Sequence, residues 1–155
     1  CNTASAKAAK YLREKNPDMP IIAIEPAYKM VHDFAPEDET LVMATRGTIE
    51  SEKFNLLYHT YDNHKTILLE CVGLADVIEE GNEKKIRNYL ESNLGKYKGK
   101  VKNVVLGCTH YPLVQEIIDE VLGGDIKFFN GAPYTAKHLK DVLIEKKKEL
   151  RRLTL

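Results

Sequence analysis

The regular alternation of short apolar runs with amphipathic stretches most constrains how this chain of 155 residues folds. The amphipathic stretches between these runs have the length and periodicity of helices. Strands that alternate with helices of this length form βαβ units and a mainly parallel sheet, so the pattern predicts an α/β fold. Five runs have the length and composition of buried strands, at residues 21–24, 40–44, 66–71, 104–107 and 126–129.

Composition and charge narrow the function classes. The chain is 43% hydrophobic and 30% charged, and its formal net charge is zero, so it carries no basic field that would favour nucleic acid or an anionic membrane. No apolar stretch reaches the roughly 20 residues that a membrane span needs. The 3 cysteines are far apart, which is unlike a disulfide framework, and we expect reduced thiols in a cytoplasmic protein.

Two of the cysteines stand in similar polar motifs. CNT begins at Cys1 and CTH begins at Cys108, and each motif precedes a predicted helix. In a parallel α/β sheet, sites form where strands end and helices begin. A helix N-terminus favours thiolate over thiol, and His110 can add a positive charge or a hydrogen bond to Cys108.

Several readings of these cysteines are open from the residues alone. Cys71 lies within an apolar run and is interpreted as a core residue, and the other two could also be small core hydrophobes. Zinc is disfavoured because Cys108-x-His110 is too tight for a ligand pair, and no metal is predicted. A Cys–His hydrolase would leave Cys1 unexplained. Two thiols on opposite faces of one substrate carbon, one removing and one returning a proton, would use both motifs.

The motifs together resemble a known family. CNTAS at residues 1–5 and GCTHYPL at 107–113 are similar to the paired cysteine motifs of the cofactor-independent glutamate racemases of bacterial cell-wall synthesis, in the aspartate/glutamate racemase superfamily. Between them, ATRGTI at 44–49, Ser51 and IEP at 24–26 also look like that family. The resemblance extends over nearly the whole chain.

The resemblance implies a role for each matching residue. Cys1 and Cys108 would be the two catalytic thiols, and His110 would orient or acidify Cys108. Glu79 would be a further catalytic residue near the site, with the adjacent Glu80 as its alternative. No cofactor is expected. Glutamate would be bound by polar side chains of three segments, namely Asn2, Thr3, Thr45, Thr48 and Thr109. On spacing alone, Thr48 could instead cap a helix over residues 48–59.

The resemblance also implies a two-lobe architecture. Residues 1–25 and 126–155 would form part of a first lobe that carries Cys1, and residues 26–125 would form a second lobe that carries Cys108. Family members extend further at the front, where they carry Asp-Ser-Gly and Pro-Tyr-Gly motifs that this sequence lacks. The first lobe is therefore expected to be incomplete and to need an N-terminal segment; a homodimer is another expected assembly. The alternatives are an aspartate racemase or an inactive carboxylate-binding remnant.

Overall fold

A four-stranded parallel sheet forms the centre of the molecule, in a computed structural model that describes the main chain of residues 1–153 and the side chains of residues 1–148. Its strands are β1 (Thr40–Ala44), β2 (Thr66–Glu70), β3 (Asn103–Gly107) and β4 (Lys127–Asn130). They lie in the order β2-β1-β3-β4, and all three pairings are parallel. The predicted α/β class is confirmed.

Helices connect the strands and cover both faces of the sheet. They are α1 (Asn2–Lys15), α2 (Tyr28–Phe34), α3 (Arg46–Ile49), α4 (Glu52–Tyr61), α5 (Leu74–Glu79), α6 (Glu83–Leu94), α7 (Gln115–Leu122) and α8 (Ala132–Leu153), with 3-10 turns at Gly95–Tyr97 and Tyr111–Val114. Within the part of the chain that the structure describes, no helix is both long and apolar enough to cross a bilayer.

The side chains of the central strands divide the core into two layers. Successive residues of a strand point to opposite faces. Leu41 and Met43 therefore join the layer beneath α5, α6 and α7, whereas Val42 joins the layer beneath α2 and α4. Both central strands, β1 and β3, are buried along their whole length, which explains why their sequences are nearly continuous apolar runs.

The strand predicted at residues 21–24 does not form. Residues 20–26 are irregular and follow α1, and they pair with none of the four described strands. Two contacts hold the segment against α1: the Ile24 N–H donates to Ser5 Oγ at 3.2 Å, and Arg13 Nη2 donates to Ile21 O at 3.0 Å. The prediction was wrong because a strand exists only where a neighbour pairs with its main chain, and composition does not supply that neighbour.

The sheet continues beyond the expected lobe boundary at residue 125. β4 pairs with β3 through the partners Asn103↔Lys127 to Leu106↔Asn130. The boundary therefore falls between two hydrogen-bonded strands, with α8 following directly after β4. The division into two lobes stays a prediction.

Candidate functional site

The carboxyl ends of β1 and β3 bring two of the sequence motifs side by side. Ala44 and Gly107 are register partners at the ends of these strands, so the residues that follow them, Thr45 and Cys108, leave the sheet next to each other. Gly107 permits this closeness, because a Cβ there would lie 2.8 Å from both Ala44 Cβ and Met43 O. The glycine before the cysteine is thus a packing requirement of the site.

Cys108 begins a row of three side chains. Its Sγ lies 3.7 Å from His110 Nδ1, and His110 Nε2 lies 2.7 Å from Glu79 Oε1 at the end of α5. When His110 Nε2 carries a proton that it donates to the carboxylate, Nδ1 presents its lone pair to the thiol. Cys108 is buried and His110 is half-buried, so the row runs from the core to the surface. Glu80, the alternative to Glu79, instead pairs with Lys85 at 2.6 Å.

The sequence predicted an α-helix N-terminus directly after Cys108, but the structure has none there. Pro112 has no N–H and cannot make the α-helical bond back to the Cys108 carbonyl. The Tyr111 N–H donates to that carbonyl at 3.2 Å instead, a 3-10 turn follows, and α7 begins only at Gln115. His110, rather than a helix end, is therefore the group that can influence the Cys108 thiol.

Cys1 does stand at a helix N-terminus. It is exposed and occupies the residue before α1, and its carbonyl accepts the Ser5 N–H at 2.9 Å. Asn2, by contrast, is buried, and its Oδ1 has no hydrogen-bond partner among the described residues. It lines a cavity of about 10 Å³ together with Thr48 and Phe54, and it does not reach the cleft that Thr3 lines. Its expected substrate contact stays a prediction.

Three threonine hydroxyls tie α1 to the end of β1. Thr3 Oγ1 lies 2.7 Å from Thr45 Oγ1 and 3.1 Å from Thr48 Oγ1, and the Thr45 and Thr48 oxygens are 3.1 Å apart. The structure thus brings together three predicted substrate-binding residues from two motifs. Thr48 is only 1% exposed, so its hydroxyl is enclosed by the other two, whereas Thr3 and Thr45 are half-buried.

Thr48 does not cap the following helix, contrary to the alternative that its spacing allowed. Helix α4 begins at Glu52, and its N-cap is Ser51, whose Oγ accepts the Phe54 N–H at 3.2 Å. Thr48 belongs to the short helix α3, which ends at Ile49. Because the Ser51 hydroxyl accepts the N–H at the start of α4, the Thr48 hydroxyl can form hydrogen bonds with Thr3 and Thr45.

A cleft of about 450 Å³ opens beside Thr3 and Thr45. This volume lies in the range of small-molecule sites. Two of its lining residues, Arg46 and Glu70, were not predicted from the sequence. Arg46 Nε donates a hydrogen bond to Glu70 Oε1 at 2.8 Å. Arg46 stands inside the ATRGTI motif, and Glu70 ends a strand, where α/β sites form. The motif and the strand end could each have pointed to its residue, but only the strand register shows that Arg46 and Glu70 adjoin.

The remaining candidates are distinguished by burial. Cys71 is 3% exposed, and burial raises the pKa of its thiol to about 12, so its interpretation as a core residue is confirmed. Thr109 is exposed, and its hydroxyl makes no hydrogen bond with the side chains or main chain that the structure describes. Over the same described residues, no group of three or more His, Cys, Asp and Glu side chains could hold a metal ion.

Known proteins are similar in sequence to this chain over nearly all of its length. A glutamate racemase of Clostridium perfringens is 39% identical over 149 residues, which cover 94% of this chain and 57% of the relative. One from Clostridium kluyveri is 40% identical over 149 residues and is covered to 58%. No family model matches the chain.

Solved structures agree with the sequence comparison. Escherichia coli glutamate racemase, in complex with L-glutamate and the activator UDP-MurNAc-Ala, superposes with a TM-score of 0.77 at 29% identity, over 90% of this chain and 55% of that one. The Francisella tularensis glutamate racemase, in complex with D-glutamate, gives 0.74 at 28% identity, over 95% and 56%. The chain thus spans less than three fifths of the length of these proteins. In sequence and in fold, the chain is similar to the part of the glutamate racemases that it spans.

Proposed function

We propose that this chain, together with further polypeptide, catalyses the interconversion of L- and D-glutamate by proton transfer at Cα without a cofactor. The observation that carries the proposal is the row Cys108–His110–Glu79 after the end of β3. Cys108 leaves the sheet next to Thr45, which lines the cleft, although the three residues of the row do not line it themselves. Glutamate is named as the substrate of the sequence relatives and is bound in two of the structural ones.

Cys108 would be one of the two bases. Its S–H proton passes to Nδ1 of His110, whose other nitrogen is held by Glu79, and a thiolate facing an imidazolium results. The thiolate then takes the proton from Cα, and the electron pair of the broken C–H bond stays on the substrate as a carbanion. A thiolate held against Cα gains from proximity, and the histidine keeps it deprotonated.

Cys1 would serve the opposite face of Cα. Its thiol donates a proton to the carbanion, and the same step in reverse racemises the other enantiomer. Its exposed position before α1 leaves it accessible, and the hydroxyl of Thr3, two residues on, holds this end of the helix to Thr45. Return of a proton from the face opposite to the one that lost it inverts the stereocentre.

Hydroxyl and amide groups would stabilise the negative charge that develops on the substrate. Thr3 and Thr45 line the cleft, and Thr109 is exposed next to Cys108. Hydrogen-bond donors that are already in place stabilise charge without reorganising in the transition state. Thr48 would act through the hydroxyls of Thr3 and Thr45, with which it forms hydrogen bonds, whereas Asn2 is buried outside this cleft. A place for this reaction in peptidoglycan synthesis, in the cytoplasm, is the further part of the proposal and rests on the family resemblance.

The test replaces the matched part of the Clostridium perfringens racemase with this chain and follows solvent deuterium entering the α-position of glutamate. We expect exchange and racemisation in the chimera. Cys108→Ala should reduce racemisation by roughly 100-fold or more, since it removes one of the two proton-transfer groups.

Cys71→Ala provides the matched control. The residue lines the cleft, but its thiol is 3% exposed and burial raises its pKa to about 12, so it cannot serve as a base near neutral pH and racemisation should stay within a few-fold of the parent. If Cys108→Ala racemises as fast as Cys71→Ala, the catalytic assignment is wrong. Binding of glutamate with no exchange would indicate a carboxylate-binding remnant, and faster exchange with aspartate would change the substrate.

A further inference from the structure

The one-turn helix α3 positions two hydroxyls of the proposed site, and its own hydrogen bonds cannot hold it in place. It spans Arg46–Ile49, with Thr45 as its N-cap and Thr48 within it. A helix of a single turn fixes many backbone dihedral angles for very few hydrogen bonds, so it is not stable by itself. The positions of the Thr45 and Thr48 hydroxyls therefore depend on the contacts of α3 with other elements.

On one side, α3 contacts α1. Thr3 Oγ1 forms hydrogen bonds with the hydroxyls of Thr45 and Thr48, and we call these three residues the threonine cluster. Gly47 lies so close to Thr3 that a Cβ at Gly47 would be 2.9 Å from Thr3 Cγ2. These contacts join α3 to a helix rather than to the sheet.

On the other side, Arg46 joins α3 to the sheet. Arg46 Nε donates to Glu70 Oε1 at 2.8 Å, whereas Arg46 Nε and Glu50 Oε1 are 3.9 Å apart. Glu70 is the last residue of β2, and the main chain is held there because the Cys71 N–H donates to Ala44 O at 2.9 Å. The Glu70 side chain is 30% exposed against 69% for Glu50, so water screens the pair with Glu70 less. Glu70 is therefore the stronger anchor for Arg46.

Arg46 also lines the cleft next to Thr45, so a direct contact with a ligand is the alternative role. Its Nη groups make no hydrogen bond with the side chains or main chain that the structure describes, and a guanidinium can bind a carboxylate through such groups. However, two carboxylates, those of Glu70 and Asp76, line the same cleft and outnumber this guanidinium, which disfavours a further negative charge beside it. The ion pair with Glu70 is thus the interaction from which we argue.

We propose that Arg46 is a positioning residue, whose ion pair with Glu70 holds α3 to the end of β2 and thereby sets where the Thr45 hydroxyl stands in the cleft. The consequence for glutamate rests on the proposed function, in which this hydroxyl contacts a substrate carboxylate. Because that carboxylate is charged before the reaction as well as in the transition state, a displaced hydroxyl weakens substrate binding more than turnover. A loss of folded protein would instead lower kcat and leave KM unchanged.

A double-mutant cycle in the chimera with the Clostridium perfringens racemase tests this role. Methionine keeps much of the length of both side chains but removes the charges, so the variants are Arg46→Met and Glu70→Met. Each should raise KM for glutamate by about fivefold, as for one lost hydrogen bond, and change kcat by no more than about twofold. The double variant should have the KM of the single ones, because each change removes the same interaction.

Three outcomes of the cycle would overturn the proposal. A KM raised by Arg46→Met but not by Glu70→Met would show that Arg46 binds the carboxylate directly. Additive increases in the double variant would show that the two residues act separately. An unchanged KM in both single variants would show that the pair has no influence on the site.

Arg87→Met is the matched control for the loss of an exposed ion pair. Arg87 also lies 2.8 Å from a glutamate distant in the chain, Glu120, and 4.0 Å from Glu83 one turn away, but it does not line the cleft. We expect it to change KM by no more than about twofold. An equal rise in KM for Arg87→Met and Arg46→Met would contradict a specific role of Arg46.

Hydrogen exchange in the full chain tests the positioning without any turnover. The Ile49 N–H donates to Thr45 O at 3.1 Å, and the Glu50 N–H donates to Arg46 O at 2.9 Å, so both amides report on α3. They should exchange about threefold to fivefold faster in Arg46→Met and in Glu70→Met, and at the parent rate in Arg87→Met. Unchanged exchange in the first two variants would reject the positioning role. Faster exchange together with an inactive parent chimera would reject the proposed function and leave this role of the pair standing.

Discussion

The three cysteines carry identical thiols, but their surroundings give these thiols different reactivity. Cys1 is exposed before α1, Cys71 is enclosed in the core, and Cys108 is buried beside His110. A thiolate is the reactive form, and burial without a charged partner disfavours it. At the residue scale, therefore, reactivity depends on which groups the fold brings to each sulfur.

Alkylation of the folded chain should distinguish these environments. Burial raises the pKa of Cys71 to about 12, so this thiol stays protonated and unreactive far above neutral pH and can lose its proton only as the pH approaches that value. With iodoacetamide at about pH 8, we expect Cys71 to react at least roughly 100-fold more slowly than Cys1. Peptide mass spectrometry over time measures both rates. In denaturant the two rates should converge, and equal rates in the folded chain would contradict the prediction.

The threonine cluster provides a second prediction at this scale. Thr48→Val keeps the side-chain shape but removes a hydroxyl that is 1% exposed and lies 3.1 Å from both Thr3 and Thr45 oxygens. We expect the free energy of unfolding to fall by about 1–2 kcal/mol, as for a lost buried hydrogen bond. Urea denaturation measures it. Thr48→Ser, which keeps the hydroxyl, should be more stable than Thr48→Val, and the reverse order would show that the cluster contributes nothing.

Elements of the sheet were the most predictable part of the fold. The strand predicted at 40–44 has those bounds in the structure, because a strand that is buried on both faces is encoded by a nearly continuous apolar run. The segment at 21–24 has an equally clear composition, yet no strand forms there. The difference lies in pairing, which depends on residues distant in the chain.

Gly107 tests how closely β1 and β3 must approach at the site. In Gly107→Ala, the new Cβ would lie 2.8 Å from Ala44 Cβ and Met43 O, so we expect a loss of about 1–3 kcal/mol in the free energy of unfolding. Chemical denaturation measures the loss. Gly95→Ala is the control, since a Cβ at this position would meet nothing within 4 Å and the residue has a helical φ of −53°. We expect this variant to raise the free energy of unfolding by about 0.5–1 kcal/mol. Equal effects at both positions would contradict the packing argument.

The whole molecule combines a sheet that is covered on both faces with a flank on which apolar side chains are exposed. The core around β1 and β3 is sealed on both faces, whereas α1 and α8 expose apolar side chains on one side. Because Cys1 directly precedes α1 and Thr3 lies on it, cover over this flank would also hold one half of the proposed site in place.

Activity should therefore depend on a second polypeptide. We expect a mixture of this chain with the uncovered part of the Clostridium perfringens racemase to exchange the glutamate α-proton at least roughly 100-fold faster than the chain alone, since positioning of both thiols supplies much of the rate. Deuterium incorporation followed by NMR measures this rate. The same mixture made with the Cys108→Ala chain should remain slow. Exchange by the chain alone at the rate of the mixture would contradict the expectation.

The sequence alone determined the α/β class, most of the helices and strands, and the motifs around Cys1 and Cys108, because local periodicity and short spacing are written in neighbouring residues. Only the tertiary structure decided which of these residues meet. It placed Glu79 against His110 and Thr3 against Thr45 and Thr48, and it assigned the α4 cap to Ser51. It also left residues 21–24 unpaired. Such contacts join positions far apart in the chain, and their geometry follows from strand register and helix packing, which no local pattern specifies.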